Sequence, residues 1–326
     1  MPELPRAELE VTPSLVVSLL TAQHPDLASL PLRFAGSGWD NVLFRLGGRL
    51  VVRLPRRAVA DALMVAEQQW LPRLAAGLTV PVPAPVLLGT PTAAYPWHWS
   101  VCPWIPGVSA AAVPRADRGR AAGALAQFLA ELHRPAPAEA PVSPVGRGGP
   151  LAARDDVVRA RISALPGDAA RPAPALLEIW DAAVAAPAWT GEPLWLHGDL
   201  HPANVVLVGA EGEAEGEVDG APADGPAGGH PALGGLAGVV DFGDLCSGDP
   251  ATDLAAAWMH FDADGRDTFR TAYERVRPAD AAADPATWAR ARGWARGMGG
   301  ARAASSGDAP ALRALGEEIL TAVLED

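Results

Sequence analysis

Hydrophobic and polar positions along this chain keep a helical period, switch to strand alternation, and then return to helical spacing for most of the remainder. Leu15, Val16, Leu19 and Leu20 share one face of a helix expected over about 13–24. In "LRFAGSGWDNVLFRLGGRLVVRLP" two apolar runs flank Gly47-Gly48, a hairpin signal, and a glycine-bearing turn, "AGSGWDN", precedes them. On the last strand Leu50, Val52 and Leu54 alternate with Val51 and Arg53, which places Arg53 opposite the aliphatic row. A helix over about 58–75 carries Glu67, and "PVPAPVLLG" and "WHWSVCPWIPG" read as extended segments, the second ending in a Pro-Gly turn.

From about residue 104 the pattern is mainly helical. Leu125, Phe128, Leu129 and Leu132 form an i, i+3, i+4, i+7 stripe. A Pro-rich connector at 134–150 leads to helical patterns around 153–164 and 174–186. Short apolar, strand-like pieces return at 194–196, 205–208 and 237–241, and the chain from 251 onward is helical, closing on Leu312, Leu315, Ile319 and Val323.

The segment 209–236 breaks this pattern. It holds nine glycines, six acidic residues, no Phe, Trp or Tyr, and no Lys or Arg. Such a composition buries too little apolar surface to offset its ordering entropy, so it is expected to be a disordered acidic loop joining two strands and dispensable for nucleotide binding. Its six acids account for half of the net charge of −12, so the global charge says little about any binding site. The charge still argues against nucleic acid as a partner, which needs basic stripes. All 26 basic residues are arginine.

With 326 residues, 49% of them hydrophobic, the chain has enough material for two lobes. No long uninterrupted apolar run is present, so no membrane span is expected, and the charged N-terminus points to the cytoplasm. Cys102 and Cys246 lack a CxxC partner and read as small buried hydrophobes.

The chemistry concentrates in "LWLHGDLHPANVVLV", where His197, Asp199, His201, Pro202 and Asn204 interrupt apolar flanks. Three readings stand at first sight: metal ligation, a catalytic loop and turn chemistry. His197 and His201 have the i, i+4 spacing of a zinc site, but Gly198 stands where HExxH has glutamate, and Pro202 argues against a continuing helix. Asp199 and Asn204 have the D-x4-N spacing of a phosphoryl-transfer loop, in which a carboxylate orients or deprotonates a hydroxyl and an amide oxygen reaches a divalent metal. "GVVDFGD" supplies a second metal carboxylate, Asp241, at the end of an apolar strand.

Taken in order, "LHGDLHPANVVL", "GVVDFGDLCSGDPATDLAAAW", "GSGWDNVLFRL" and "VVRLP" resemble the aminoglycoside phosphotransferase family, small-molecule kinases with a protein-kinase-like fold. The resemblance covers about residues 30–275. It implies an α+β, bilobal fold with a small antiparallel-sheet N-lobe over 1–103 that binds the nucleotide, and a mainly helical C-lobe over 104–326. It also implies transfer of the γ-phosphoryl group of ATP or GTP to a small-molecule hydroxyl, with Mg2+, by a monomer or homodimer; antibiotic resistance is among the roles it suggests. Asp199 would be catalytic, and Asn204 and Asp241 would be the magnesium ligands. His197 would be structural, and Asp253 would brace the loop or cap its helix.

The nucleotide would meet the turn at Gly36, Ser37 and Gly38, the cation of Arg53 held by Glu67, and the hinge backbone at Trp104 and Ile105. Arg53 stands where a protein kinase has lysine; guanidinium is broader than ammonium and forks across two oxygens. Structural alternatives accompany these roles: Arg53 as a solvent-facing strand residue, Glu67 as a solvated carboxylate, and His133 as a favourable cation at a helix C-terminus. The acceptor is open among aminoglycosides, macrolides and metabolites, with Asp244, Tyr273 and Glu274 as candidate contacts, and a basic or apolar cleft would count against an aminoglycoside. The rival reading is a nucleotide-binding module without turnover.

Overall fold

A computed structural model describes residues 5–165, 171–209, 235–277, 283–305 and 310–326. The acidic segment expected to be disordered lies, over 210–234, outside the described residues.

The first half is built on a five-stranded antiparallel sheet, β1 (Leu32–Ser37), β2 (Asn41–Leu46), β3 (Leu50–Pro55), β4 (Leu87–Gly89) and β5 (Trp99–Pro103), in the order β1-β2-β3-β5-β4. The alternation read from the sequence fixes its faces. Val52 and Leu54 pack with Phe44, Trp99 and Val101 into a core closed by Val16, Leu19 and Leu20 of helix α1 (Pro13–Gln23). Val51 and Arg53 project from the opposite face. Helix α2 (Val59–Ala75) lies across this half and serves two cores: Met64 accepts from Ser100 of β5, while Leu71 and Leu74 join a second, larger cluster.

That second cluster is mainly helical. It draws on α3 (Ala122–Leu132), α4 (Asp155–Ser163), α5 (Ala173–Ala185), α6 (Ala251–Leu254), α7 (Ala256–His260), α8 (Ala263–Val276), α9 (Pro285–Ser305) and α10 (Pro310–Leu324). Two small antiparallel sheets are set into it. One joins β6 (Val108–Ser109), β8 (Val205–Leu207) and β9 (Leu236–Val239); the other pairs β7 (Leu194–Leu196) with β10 (Cys246–Gly248). The stretch 197–204 therefore leaves one sheet and enters the other, clamped at both ends. The β8–β9 hairpin closes on itself, with Val208 N donating to Gly235 O at 2.9 Å. No helix among the described residues is long and apolar enough to cross a membrane.

Candidate active site

The loop between β7 and β8 is held from behind by one carboxylate. Asp253, wholly buried on α6, accepts from the backbone N–H of His197 at 2.7 Å and of Gly198 at 2.9 Å, and its Oδ2 lies 3.4 Å from His133 Nε2. Gly198 is required by shape: its φ is +85°, and a Cβ there would lie 2.3 Å from the carbonyl oxygen of Asp244. The His197 ring faces the Val240 carbonyl through Nε2 at 3.0 Å and accepts the Asp199 N–H at Nδ1. His201 accepts the Ala203 N–H at Nδ1 and places Nε2 3.5 Å from Asp199 Oδ2. His197 thus has both ring nitrogens occupied, one by the loop and one by Val240, and cannot join His201 in a zinc site; among the described residues no cluster of three or more His, Cys, Asp or Glu side chains that could hold a metal ion forms.

Asn204 donates its amide to the Asp199 carbonyl at 2.9 Å, which leaves Oδ1 to be presented elsewhere. Asp241 follows β9 with φ 63° and ψ 71°, a left-handed conformation that a non-glycine residue adopts at some cost. That twist turns its carboxylate toward Arg53, whose Nη2 lies 3.5 Å away. Arg53 and Glu67 are both buried and form a close ion pair, so neither is the solvent-facing residue it could have been. Burial opposes the Arg53 charge, but Glu67 and Asp241 hold its pKa above the ordinary value. Burial pushes the Glu67 carboxyl up, against the pull of Arg53.

Arg53, Asn204 and Asp241 line one cavity of about 360 Å³, together with Gly38, Trp104 and Ile105. Gly36 and Ser37 do not line it. They follow a register shift between Phe34 and Gly36 in the β1–β2 pairing, and Ser37 Oγ accepts from Arg56. Trp39, Asp40 and Asn41 take that place on the cavity wall. The Trp104 N–H is already bound to the Arg49 carbonyl, so its carbonyl and the Ile105 backbone are what the hinge has left to offer. The donor set facing the cavity from Asn204 and Asp241 is hard oxygen from two side chains. This suits magnesium, which keeps several waters and shares phosphate oxygens.

No local pattern marks the residues that hold Asp199. Arg147, from the Pro-rich connector, reaches Oδ1 at 3.0 Å, and Arg302 of α9 reaches the same oxygen at 2.8 Å. Burial would raise the Asp199 carboxyl, but Arg302, Arg147 and His201 together hold it well below the usual range. Asp244 responds oppositely: burial and the neighbouring Asp199 push it up to about 6. The other candidate acceptor contacts point away from this cavity. Tyr273 is buried with its hydroxyl 2.7 Å from His133 Nδ1, and Glu274 accepts from Trp288. His133 does end α3, but burial lowers its pKa, so it acts as a neutral buried hydrogen-bonding link and the helix-end cation reading is corrected.

The family model of the phosphotransferase enzyme family matches residues 31–219 and 233–294. Among solved structures, the GDP and kanamycin complex of APH(2")-IIIa superposes with a TM-score of 0.63 at 20% identity, covering 94% of this chain and 96% of that one. The macrolide 2'-phosphotransferase MphH from Brachybacterium faecium gives 0.55 at 22% identity, over 93% and 97%. A streptomycin–ATP complex of APH(2")-IIa gives 0.53 at 17%, over 88% and 86%. No curated protein matches the chain. At these identities the structural likeness speaks for the α+β kinase-like fold alone. The family model spans most of the chain, including the loop at 197–204 and the turn at Asp241, and on that ground the chain belongs to the phosphotransferase enzyme family.

Proposed function

We propose that the protein transfers the γ-phosphoryl group of ATP or GTP to a hydroxyl of a small molecule. The observation that carries this reading is the meeting of Arg53, Asn204 and Asp241 on one cavity, with Asp199 bonded to Asn204 directly beside it. In this reading residues 1–103 form the nucleotide-binding lobe and 104–326 the catalytic lobe. Arg53, fixed by Glu67, neutralises phosphate oxygens, and the Trp104 and Ile105 backbone meets the base. Asn204 and Asp241 would hold Mg2+, which when bound spreads the charge developing on the phosphates.

Asp199 orients the acceptor hydroxyl. The hydroxyl oxygen forms the new P–O bond to the γ-phosphorus, the bridging P–O bond breaks, and nucleoside diphosphate leaves. Because the arginines keep Asp199 ionised and weakly basic, its main contribution is aim, and the hydroxyl proton leaves late in the transfer, once P–O bond formation has made it acidic, passing through Asp199 to solvent. Rate would come from positioning and charge neutralisation without a covalent enzyme intermediate. A nucleotide-binding module without turnover finds no support here, since Asp199, Asn204 and Asp241 are all in place. The solved neighbours include complexes with kanamycin and with streptomycin, and a macrolide phosphotransferase, so antibiotics of both classes belong in an acceptor screen.

The test is magnesium-dependent ADP or GDP release across an acceptor panel, with product mass detected. Turnover with at least one acceptor, lost by a factor of a hundred or more (on the order of the cost of a misplaced catalytic group) in Asp199→Ala, supports the reading. Turnover that survives Asp199→Ala unchanged overturns the assignment of that residue. Tight nucleotide binding with no acceptor phosphorylated overturns the activity.

A further inference from the structure

The acceptor side of Asp199 is basic. Arg147 and Arg302 converge on a single carboxylate oxygen from positions 52 and 103 residues away from it in sequence. Neither lines the nucleotide cavity, whose arginine is Arg53. The backbone holds Arg147 firmly. Gly148 N donates to Thr252 Oγ1, Gly148 O accepts from Asp249 N, and Gly148 packs so tightly on Gly248 that a Cβ on Gly248 would lie 2.3 Å from the Gly148 carbonyl. Of the Arg147 donors, Nε is buried without a partner among the described residues. On α9, which also carries Arg302, Arg296 is fully buried, with Nε and Nη2 likewise without partners among the described residues. Burial and the charge of Arg147 lower the Arg161 pKa, and burial and the charge of Arg161 bring Arg296 down to about 10. Arg147 and Arg302 converge on one carboxylate, and with the half-buried Arg161 and the buried Arg296 behind them four guanidiniums stand against Asp199 and Asp244.

Resting on the kinase reading above, we infer that the acceptor carries an oxyanion, a carboxylate or a phosphate, near the hydroxyl that is phosphorylated, and that Arg147 and Arg302 bind it. Arginine suits this role, because its planar fork matches carboxylate and phosphate oxygens bidentately. The same contacts give the arginines a second effect. They occupy Oδ1, one of the two oxygens that Asp199 can present to a hydroxyl, while Oδ2 faces His201 at 3.5 Å. An arriving oxyanion draws the arginines off Oδ1, and an acceptor without one leaves that oxygen occupied. A polycationic acceptor would meet two guanidiniums at the point of transfer.

The test uses the full chain saturated with Mg2+ and a non-hydrolysable ATP or GTP analogue, titrated calorimetrically with inorganic phosphate, gluconate, glucose 6-phosphate, glucose and kanamycin. Binding of at least one of the three oxyanion probes, with glucose and kanamycin weaker by tenfold or more, is the expected result. Arg302→Ala and, independently, Arg147→Ala on the connector should each weaken oxyanion binding at least tenfold while nucleotide affinity stays within twofold, which also shows that the variants are folded. Arg302→Lys, which keeps charge but not the fork, should fall between. Phosphate and gluconate separate the two oxyanion sources. Equal or tighter binding of kanamycin, no binding of any oxyanion, oxyanion affinity unchanged in both alanine variants, or a nucleotide affinity that falls with them would each overturn the inference. In a parallel turnover assay with ATP or GTP in place of the analogue, oxyanion binding with no acceptor of the panel phosphorylated upholds the site and overturns the kinase reading, whereas phosphorylation of kanamycin upholds the kinase and overturns the site.

Discussion

Asp253→Asn changes one atom behind the catalytic loop. Asp253 is wholly buried, and its two oxygens accept the N–H groups of His197 and Gly198 at 2.7 and 2.9 Å. Asparagine keeps one oxygen and turns the other position into a donor, so one backbone N–H meets an NH2 in either rotamer. A hydrogen bond to a charged group is worth about 1.5–3 kcal/mol, and an unsatisfied buried donor costs about 1–3 kcal/mol; since these overlap, a loss of about 2–4 kcal/mol follows. Asp253→Ala removes both acceptors and the partner of His133, and should cost about 4 kcal/mol or more. Urea unfolding reads both values. Asp199 is the residue after Gly198, so the loop that slackens is the one that aims the acceptor. A displacement of about 1 Å there is worth on the order of a hundredfold in rate. Turnover should therefore fall far more than nucleotide affinity, which depends on Arg53 and the cavity wall. Stability within about 0.5 kcal/mol of the parent, with turnover unchanged, would refute the assignment of Asp253 as the brace.

Other perturbations probe the same framework. Glu67→Ala strands a buried guanidinium with Asp241 at 3.5 Å as its remaining carboxylate; about 3–5 kcal/mol of stability and at least tenfold in nucleotide affinity should go, by unfolding and titration. Gly198→Ala forces a Cβ to 2.3 Å from the Asp244 carbonyl at φ +85°, and expression as soluble, nucleotide-binding protein should collapse. Because Val208 and Gly235 already share a hydrogen bond, replacing 210–234 by a short turn should leave nucleotide affinity within about twofold, loop length having only a small closure cost. Acid should destabilise the fold early. His201 and His260 are pushed down to about 3 by burial with neighbouring positive charge, so the unfolded chain takes up protons first and stability falls as pH drops from about 6.5 toward 3. At pH 5 each histidine contributes a loss of about 2 kcal/mol, measurable by denaturation across pH. Asp199, held low, keeps its charge throughout that window.

Local chemistry determined much of this protein. The alternation in Leu50–Leu54 already placed Arg53 on the face away from the sheet core, because successive strand residues must point to opposite sides. The helices over Pro13–Gln23, Val59–Ala75 and Ala122–Leu132 follow the apolar periods that predicted them. Asp199, Asn204 and Asp241 were singled out by fixed spacings within short loops, and the structure sets Asn204 and Asp241 on one cavity with Asp199 bonded to Asn204. Tertiary structure decided the rest. Arg147 and Arg302 carry no local pattern that marks them; they meet Asp199 because the tight contact of Gly148 with Gly248 and the packing of α9 bring them there. The same holds for Gly36 and Ser37, which follow a register shift and do not line the cavity, and for Tyr273, turned inward to His133. Periodicity says which face of an element is buried, but only the packing of elements distant in sequence decides which charge stands beside the aspartate, and hence the kind of molecule it can receive.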